Sequence, residues 1–314
     1  MDVGVMALQA WPTQGTSPAA EYQRSLELAQ ATEDLGFESI WAWDHVYAGD
    51  DPRAEAILEP FVLLTSIAAV THRVRLGHMV MCAGFRNPAL TAKMAATLDV
   101  ASDGRFELGI GAGWKEPEWR AYGYGFPSAA DRAAALGEQL EIITAMLDRG
   151  AATFHGRFVS AEDAVTVPRG IQRPRIPVIV GGNGRRVARR LAARFADELN
   201  IVHVAPDMMP EEIAITREAC AAASRDPASL RLSVYPPEAE IQQRGPARTE
   251  LLEAYARLGV VRLVADLGLQ EGGLDALRWF AADCRATRHV TLAPSPAPAA
   301  VSSRKVRSFG PRLA

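Results

Sequence analysis

What most constrains this chain is an alternation repeated eight times, in which a short β-rich run is followed by a longer helical pattern. The runs cover residues 3–8, 38–43, 74–81, 105–110, 176–180, 197–202, 230–235 and 260–266. The helical patterns cover 18–35, 59–70, 88–101, 129–149, 185–195, 210–223, 246–258 and 274–286. Boundary residues agree, since Gly36 and Gly259 follow the first and seventh helical patterns and Pro88 opens the third. The run Ile176-Pro177-Val178-Ile179-Val180 is apolar throughout, as a strand covered on both faces should be. Eight βα units that close on themselves make a (β/α)8 TIM barrel, a fold of about 250 residues, so one domain over 1–292 is expected. Alternation alone also admits an open doubly wound sheet.

Two connections exceed the usual two to six residues. Residues 111–128 follow the fourth strand and lie at the C-terminal face, where barrel enzymes keep their sites. Their aromatics Trp119, Tyr122, Tyr124 and Phe126 read equally as a water-excluding lid or as packing that fixes the loop. Residues 150–175 precede the fifth strand and contain a small hairpin pattern at 153–158. Residues 293–314, rich in Pro, Ala and Ser with Arg304, Lys305, Arg307 and Arg312, have the composition of a solvated tail.

Composition removes several function classes. With 34 Lys+Arg against 37 Asp+Glu the net charge is −3, so no global positive field draws in nucleic acid. The three cysteines, Cys82, Cys220 and Cys284, have no CxxC spacing, which favours a reducing, cytoplasmic setting. The longest apolar runs fall short of a membrane span, residues 61–69 being broken by Thr65 and Ser66, and residues 1–6 do not resemble a signal peptide. The histidines show no metal-ligand spacing, so no metal site is expected. A GxSxG elbow is absent, which removes that hydrolase class.

The C-terminal strand ends carry the candidate chemistry. His45, in Trp43-Asp44-His45, can pass a proton near neutral pH, with a neighbouring carboxylate to orient it; a structural imidazole is the competing reading. Cys82 lacks the base and electropositive surroundings of a nucleophile and reads as a packing or pocket-lining thiol. Gly109, Gly111 and Gly113 either let a flat ring approach the backbone or allow close packing. After the fifth strand, Gly181-Gly182-Asn183-Gly184-Arg185 combines free amides, a helix start and a guanidinium. That combination suits a phosphate, although a tight βα turn explains it equally.

Several segments, taken in order, carry a family resemblance. They are Leu35-Gly36-Phe37-Glu38-Ser39-Ile40-Trp41 leading into Asp44-His45, then Arg73-Val74-Arg75-Leu76-Gly77, then Phe85-Arg86-Asn87-Pro88. Lys93-Met94-Ala95-Ala96-Thr97-Leu98-Asp99, then Ser102-Asp103-Gly104-Arg105-Phe106 running through the glycines to Trp114, then Pro177-Val178-Ile179-Val180-Gly181-Gly182-Asn183-Gly184 with Leu191-Ala192-Ala193-Arg194-Phe195-Ala196-Asp197 complete the set. Over residues 1–202 the chain resembles the bacterial-luciferase-like oxidoreductases, particularly their deazaflavin-dependent branch. The resemblance implies a barrel that binds the deazaflavin coenzyme F-420, or alternatively FMN, at its C-terminal mouth. It implies hydride transfer to or from a small organic substrate, with His45 beside the reactive centre. It puts Met79-Val80, often a non-proline cis peptide in this family, behind the ring, with Cys82 lining the pocket. Gly111, Ala112, Gly113 and Trp114 would flank the ring; Gly181, Gly182, Asn183, Gly184 and Arg185 would hold the phosphate. A homodimer is implied, and a two-component FMN monooxygenase fed by a separate reductase, or a non-catalytic flavin-binding barrel, are the alternatives. One departure stands out: some deazaflavin sugar dehydrogenases carry a glutamate where this chain has Trp114, with Glu116 close by.

Overall fold

The computed structural model describes residues 1–182 and 184–293. Eight parallel strands close into a barrel: β1 Asp2–Met6, β2 Ser39–Ala42, β3 Arg75–His78, β4 Phe106–Gly111, β5 Val178–Gly181, β6 Glu198–Val202, β7 Arg231–Tyr235 and β8 Arg262–Ala265. Closure comes from β4–β5 pairing (Val178 opposite Leu108) together with β8–β1 pairing (Asp2 opposite Arg262), so the open-sheet alternative is excluded. The helices that follow are α1 Pro18–Leu35, α2 Pro60–Val70, α3 Pro88–Ala101, α4 Ala129–Arg149, α5 Arg185–Phe195, α6 Met209–Ala222, α7 Pro246–Arg257 and α8 Leu269–Ala286.

The local chemistry explains the boundaries. Asn87 caps α3 by accepting from the amides of Ala89 and Leu90, with Pro88 at the first helical position. Glu59 does the same for α2 by accepting from Val62. Gly36 ends α1 at φ 91°, a left-handed position that glycine takes without steric cost. β3 breaks after His78 at the cis Met79–Val80 peptide that the family resemblance implies, and resumes as Met81–Cys82. Two features depart from the sequence expectation. Short strands Ala10–Pro12 and Glu55–Ile57 pair antiparallel across the loops after β1 and β2. α8 starts five residues earlier than the pattern indicates, with a kink at Gly273. The expected hairpin is present and larger, pairing Ala151–His155 with Ser160–Val165.

The period of two sorts each strand's residues between the barrel axis and the surrounding helices. Val3, Val5, Ile40, Leu108, Val178, Leu263 and their neighbours pack outward against the helices. Inside, Met6, Trp41, Met79, Ile179, Tyr235 and Val264 form a separate apolar layer. Trp41 fills the axis: its indole N–H donates to Ser39 Oγ at 2.7 Å, the ring takes the space of a Cβ at Gly77, and the Ser39 hydroxyl with the indole nitrogen takes it at Gly4. Below it lies a charged layer in which Arg262 meets Glu107 at 2.7 Å, Glu198 at 3.0 Å and Glu38 at 3.0 Å, while Arg75 also pairs with Glu107. Burial works to raise the Glu107 carboxyl, but Arg262 and Arg75 outweigh it and hold it low. At Glu198 burial prevails and its carboxyl lies above the ordinary range. The base of the barrel is thereby filled.

Candidate active site

The C-terminal ends of the strands bring the expected residues to one mouth. His45 follows β2, Met79 and Val80 follow β3, Gly111 ends β4, and Gly181 ends β5. Parallel closure puts all of them at the same end. Trp43, Val80 and Val202 lie half-buried on top of the inner apolar layer and give the mouth an apolar floor.

The glycines divide by what surrounds them. A Cβ on Gly111 would come within 2.8 Å of a Val80 methyl, and one on Gly181 within 2.7 Å of the other; Gly109 is blocked by the His78 carbonyl. These three glycines therefore accommodate the β3 break, which resolves their role in favour of close packing. Gly182 is different, with φ 138° and nothing within 4 Å of its Cβ position. It is followed by α5, whose own first turn carries no acidic residue. The expectations for Asn183 and for the Arg185 side chain lie outside the described residues, as do those for 294–314.

His45 is oriented by Glu118, both of whose carboxylate oxygens lie 3.0 Å from Nδ1. Glu118 is 1% exposed and also receives Lys115 Nζ at 3.4 Å. A carboxylate at Nδ1 fixes the proton there and leaves Nε2 as the ring atom that accepts or gives a proton. Asp44, the carboxylate next to His45 in sequence, does not do this. It accepts from the Cys82 amide at 2.8 Å and from Arg86 at 2.6 and 2.9 Å, tying β2 to the end of β3. Glu116 points elsewhere, pairing with Arg120 at 2.7 Å on the exposed side of its short helix, Glu116–Ala121. Glu118 lies 73 residues from its partner, beyond the reach of any local pattern. Its one sequence signal is the Lys115/Glu118 spacing of i,i+3 in a helix that follows the β4 glycines.

The connection after β4 is anchored rather than loose. The Trp119 ring occupies the space where Gly84 and Gly113 lack side chains, and it packs against Phe85, Tyr124 and Phe126. The Tyr124 hydroxyl donates to the Phe85 carbonyl at 3.0 Å. Lys115 Nζ donates to the Tyr47 and Gly49 carbonyls at 3.2 and 3.0 Å, joining this connection to the one after β2. Trp119, Tyr124 and Phe126 are therefore packing residues. Trp114 stands 71% exposed, its ring edge-on to His45 at 5.9 Å. Cys82 sits beneath Gly113 among Phe85 and Trp119, where burial pushes its thiol up to about 12, so it stays protonated. Ala112 faces the other way, into a cavity of about 390 Å³ on the outer side of the strand end. No group of His, Cys, Asp and Glu among the described residues could hold a metal, and no helix there is long and apolar enough to cross a membrane.

Residues 1–294 match the family described as luciferase-like monooxygenase. The chain belongs to this family. Among curated luciferase-like relatives, an uncharacterized protein of Mycobacterium tuberculosis is 31% identical over 239 residues, covering 71% of this chain and 80% of that one. An F420-dependent glucose-6-phosphate dehydrogenase of Kineococcus radiotolerans is 35% identical over 161 residues, covering 50% of this chain and 47% of that enzyme. Among solved structures, an F420-dependent secondary alcohol dehydrogenase in complex with an F420-acetone adduct superposes with a TM-score of 0.73 at 18% identity, over 91% of this chain and 99% of that one. At that identity the likeness concerns the fold.

Proposed function

We propose that this luciferase-like protein is an oxidoreductase that moves a hydride between a deazaflavin and a small organic substrate bound above it. The observation that carries the reading is the mouth itself. An apolar floor of Trp43, Val80 and Val202 lies between a carboxylate-oriented imidazole on one side and an open glycine turn at a helix start on the other. Those residues fit a planar ring with an anionic tail. When bound, a deazaflavin supplies two-electron hydride chemistry and does not readily activate oxygen. The chain's own contribution is positional: Val80 and Trp43 support the ring face, the Gly182 amide and the start of α5 receive the anionic end, and His45 Nε2 handles the substrate proton. Glu118 holds His45 in the required tautomer, and Trp114 shields that side from water.

Titration of the purified chain with oxidised deazaflavin and with FMN tests this reading. Tighter binding of deazaflavin is expected. Gly182→Asp, which adds bulk and a like charge at the anionic end, should weaken binding at least tenfold. Preference for FMN with substrate-dependent oxygen consumption would instead indicate a monooxygenase, the reaction named in the family's description. Binding of neither cofactor would overturn the reading.

A further inference from the structure

Two strands round the mouth from β2, the ends of β7 and β8 carry a second arrangement of polar side chains. Along β8 the residues facing the axis are Arg262 in the charged layer, Val264 in the apolar layer and then, by the same period of two, Asp266 at the mouth. Tyr235, ending β7 and only 5% exposed, donates its hydroxyl to Asp266 Oδ2 at 3.5 Å, and the Trp43 side chain on the mouth floor interacts with that hydroxyl. The Gly268 amide donates to Asp266 Oδ1 at 3.0 Å. Each carboxylate oxygen thus has one neutral donor, and an ionised carboxylate accepts about four bonds.

Among the described residues no lysine, arginine or histidine pairs with Asp266; burial, and then the like charge of Glu238, raise its carboxyl above the ordinary range, against the hydrogen bonds from Gly268 and Tyr235, so its charge is read at pH 8. Four of the described cations near this rim are committed elsewhere. Lys115 serves Tyr47, Gly49 and Glu118, while Arg86 serves Asp44 and Glu59. Arg24 donates to the Leu269 and Gln270 carbonyls, and Arg244 lies over the Trp279 ring. An oriented carboxylate with no positive counterpart repels anions that enter beside it.

We propose that Asp266, aimed into the mouth by Tyr235, selects substrates by charge, admitting neutral or cationic molecules and turning away anions such as phosphate monoesters. This rests on the mouth being the reaction site, and it separates the chain from the sugar-phosphate dehydrogenation named for one of its relatives. Asp266 is here a specificity-determining residue, and Tyr235 a positioning residue.

The test reads local charge directly. His203, exposed and with its ring 5.3 Å from Tyr235, is replaced by cysteine in the full chain; Cys82, Cys220 and Cys284 are buried and give little background. Rates of modification at pH 8 are measured with methanethiosulfonate reagents bearing either an ethylammonium or an ethylsulfonate group. Normalised to a small free thiol, the cationic reagent should react about fivefold faster, and adding Asp266→Asn should lower that ratio at least twofold, Glu238 remaining in place. A ratio favouring the anion, or one unmoved by Asp266→Asn, would overturn the proposal. Asp266→Asn alone should leave deazaflavin and FMN affinity within about twofold of wild type; a tenfold loss would place Asp266 in the cofactor seat and also overturn it. If wild type binds neither cofactor, the proposed function fails while the reagent ratio still reports on Asp266.

Discussion

At the scale of single residues, the decisive contact is Glu118 on His45. Glu118→Ala removes the group that holds the proton on Nδ1, so the imidazole should revert toward the Nε2-protonated tautomer that free imidazole prefers. Nitrogen-15 NMR of His45 would show this without a known substrate, and turnover should fall at least tenfold with little change in cofactor affinity. An unchanged tautomer would remove Glu118 from the site's mechanism. His78 supports a second prediction. It is fully buried between Phe61 and Phe106, with no hydrogen-bond partner for either ring nitrogen among the described residues. Burial, reinforced by Arg86, lowers its pKa to about 3. Because the unfolded chain binds this proton near pH 6.5 and the folded chain only near 3, stability is lost as pH falls through that window, by at most about 5 kcal/mol. His78→Leu should therefore shift the acid-unfolding midpoint to lower pH. Coincident midpoints would clear His78 of that role.

Among the elements, the connection after β4 shows which contacts hold a loop. Lys115 tethers it through hydrogen bonds and a partly exposed ion pair worth about 1 kcal/mol, whereas truncating a buried tryptophan costs about 3–5 kcal/mol. Trp119→Ala should thus accelerate chymotryptic cleavage near Tyr122 far more than Lys115→Met does; the reverse order would make the tether the principal anchor. The same elements show what a sequence can reveal. Strands covered on both faces are legible as apolar runs, and proline and glycine mark helix ends, so all eight βα units are found to within a few residues. The break at Met79–Val80 has no periodic signature, because three glycines on neighbouring strands make room for it. The pairing of Ala10–Pro12 with Glu55–Ile57 is too short to register as alternation. His45 and the glycine turn are recognisable from local order, whereas Glu118 and the Tyr235–Asp266 pair depend on contacts between separate βα units that only the folded sheet brings together.

For the molecule as a whole, the charged layer beneath Trp41 matters as much as the mouth. Arg262→Met would leave Glu107 and Glu198 buried without their shared counterion, at a cost of about 3–5 kcal/mol and a fall in Tm of about 10 °C. Replacing all three residues with methionine should recover much of that loss, because only the partly exposed Glu38 and Arg75 of the layer would remain charged. A triple variant no more stable than Arg262→Met would indicate that the ion network itself favours the closed barrel. The axis above this layer carries a different kind of constraint. Trp41 occupies volume that belongs in part to positions 4 and 77, on two strands far apart in the chain. Over evolutionary time these sites are not free to drift separately: an alanine at 77 becomes tolerable only in a lineage that has already reduced the indole, and one at 4 only where Ser39 has given way as well. Descendants of this chain that diverge at position 41 should carry compensating changes at both glycines.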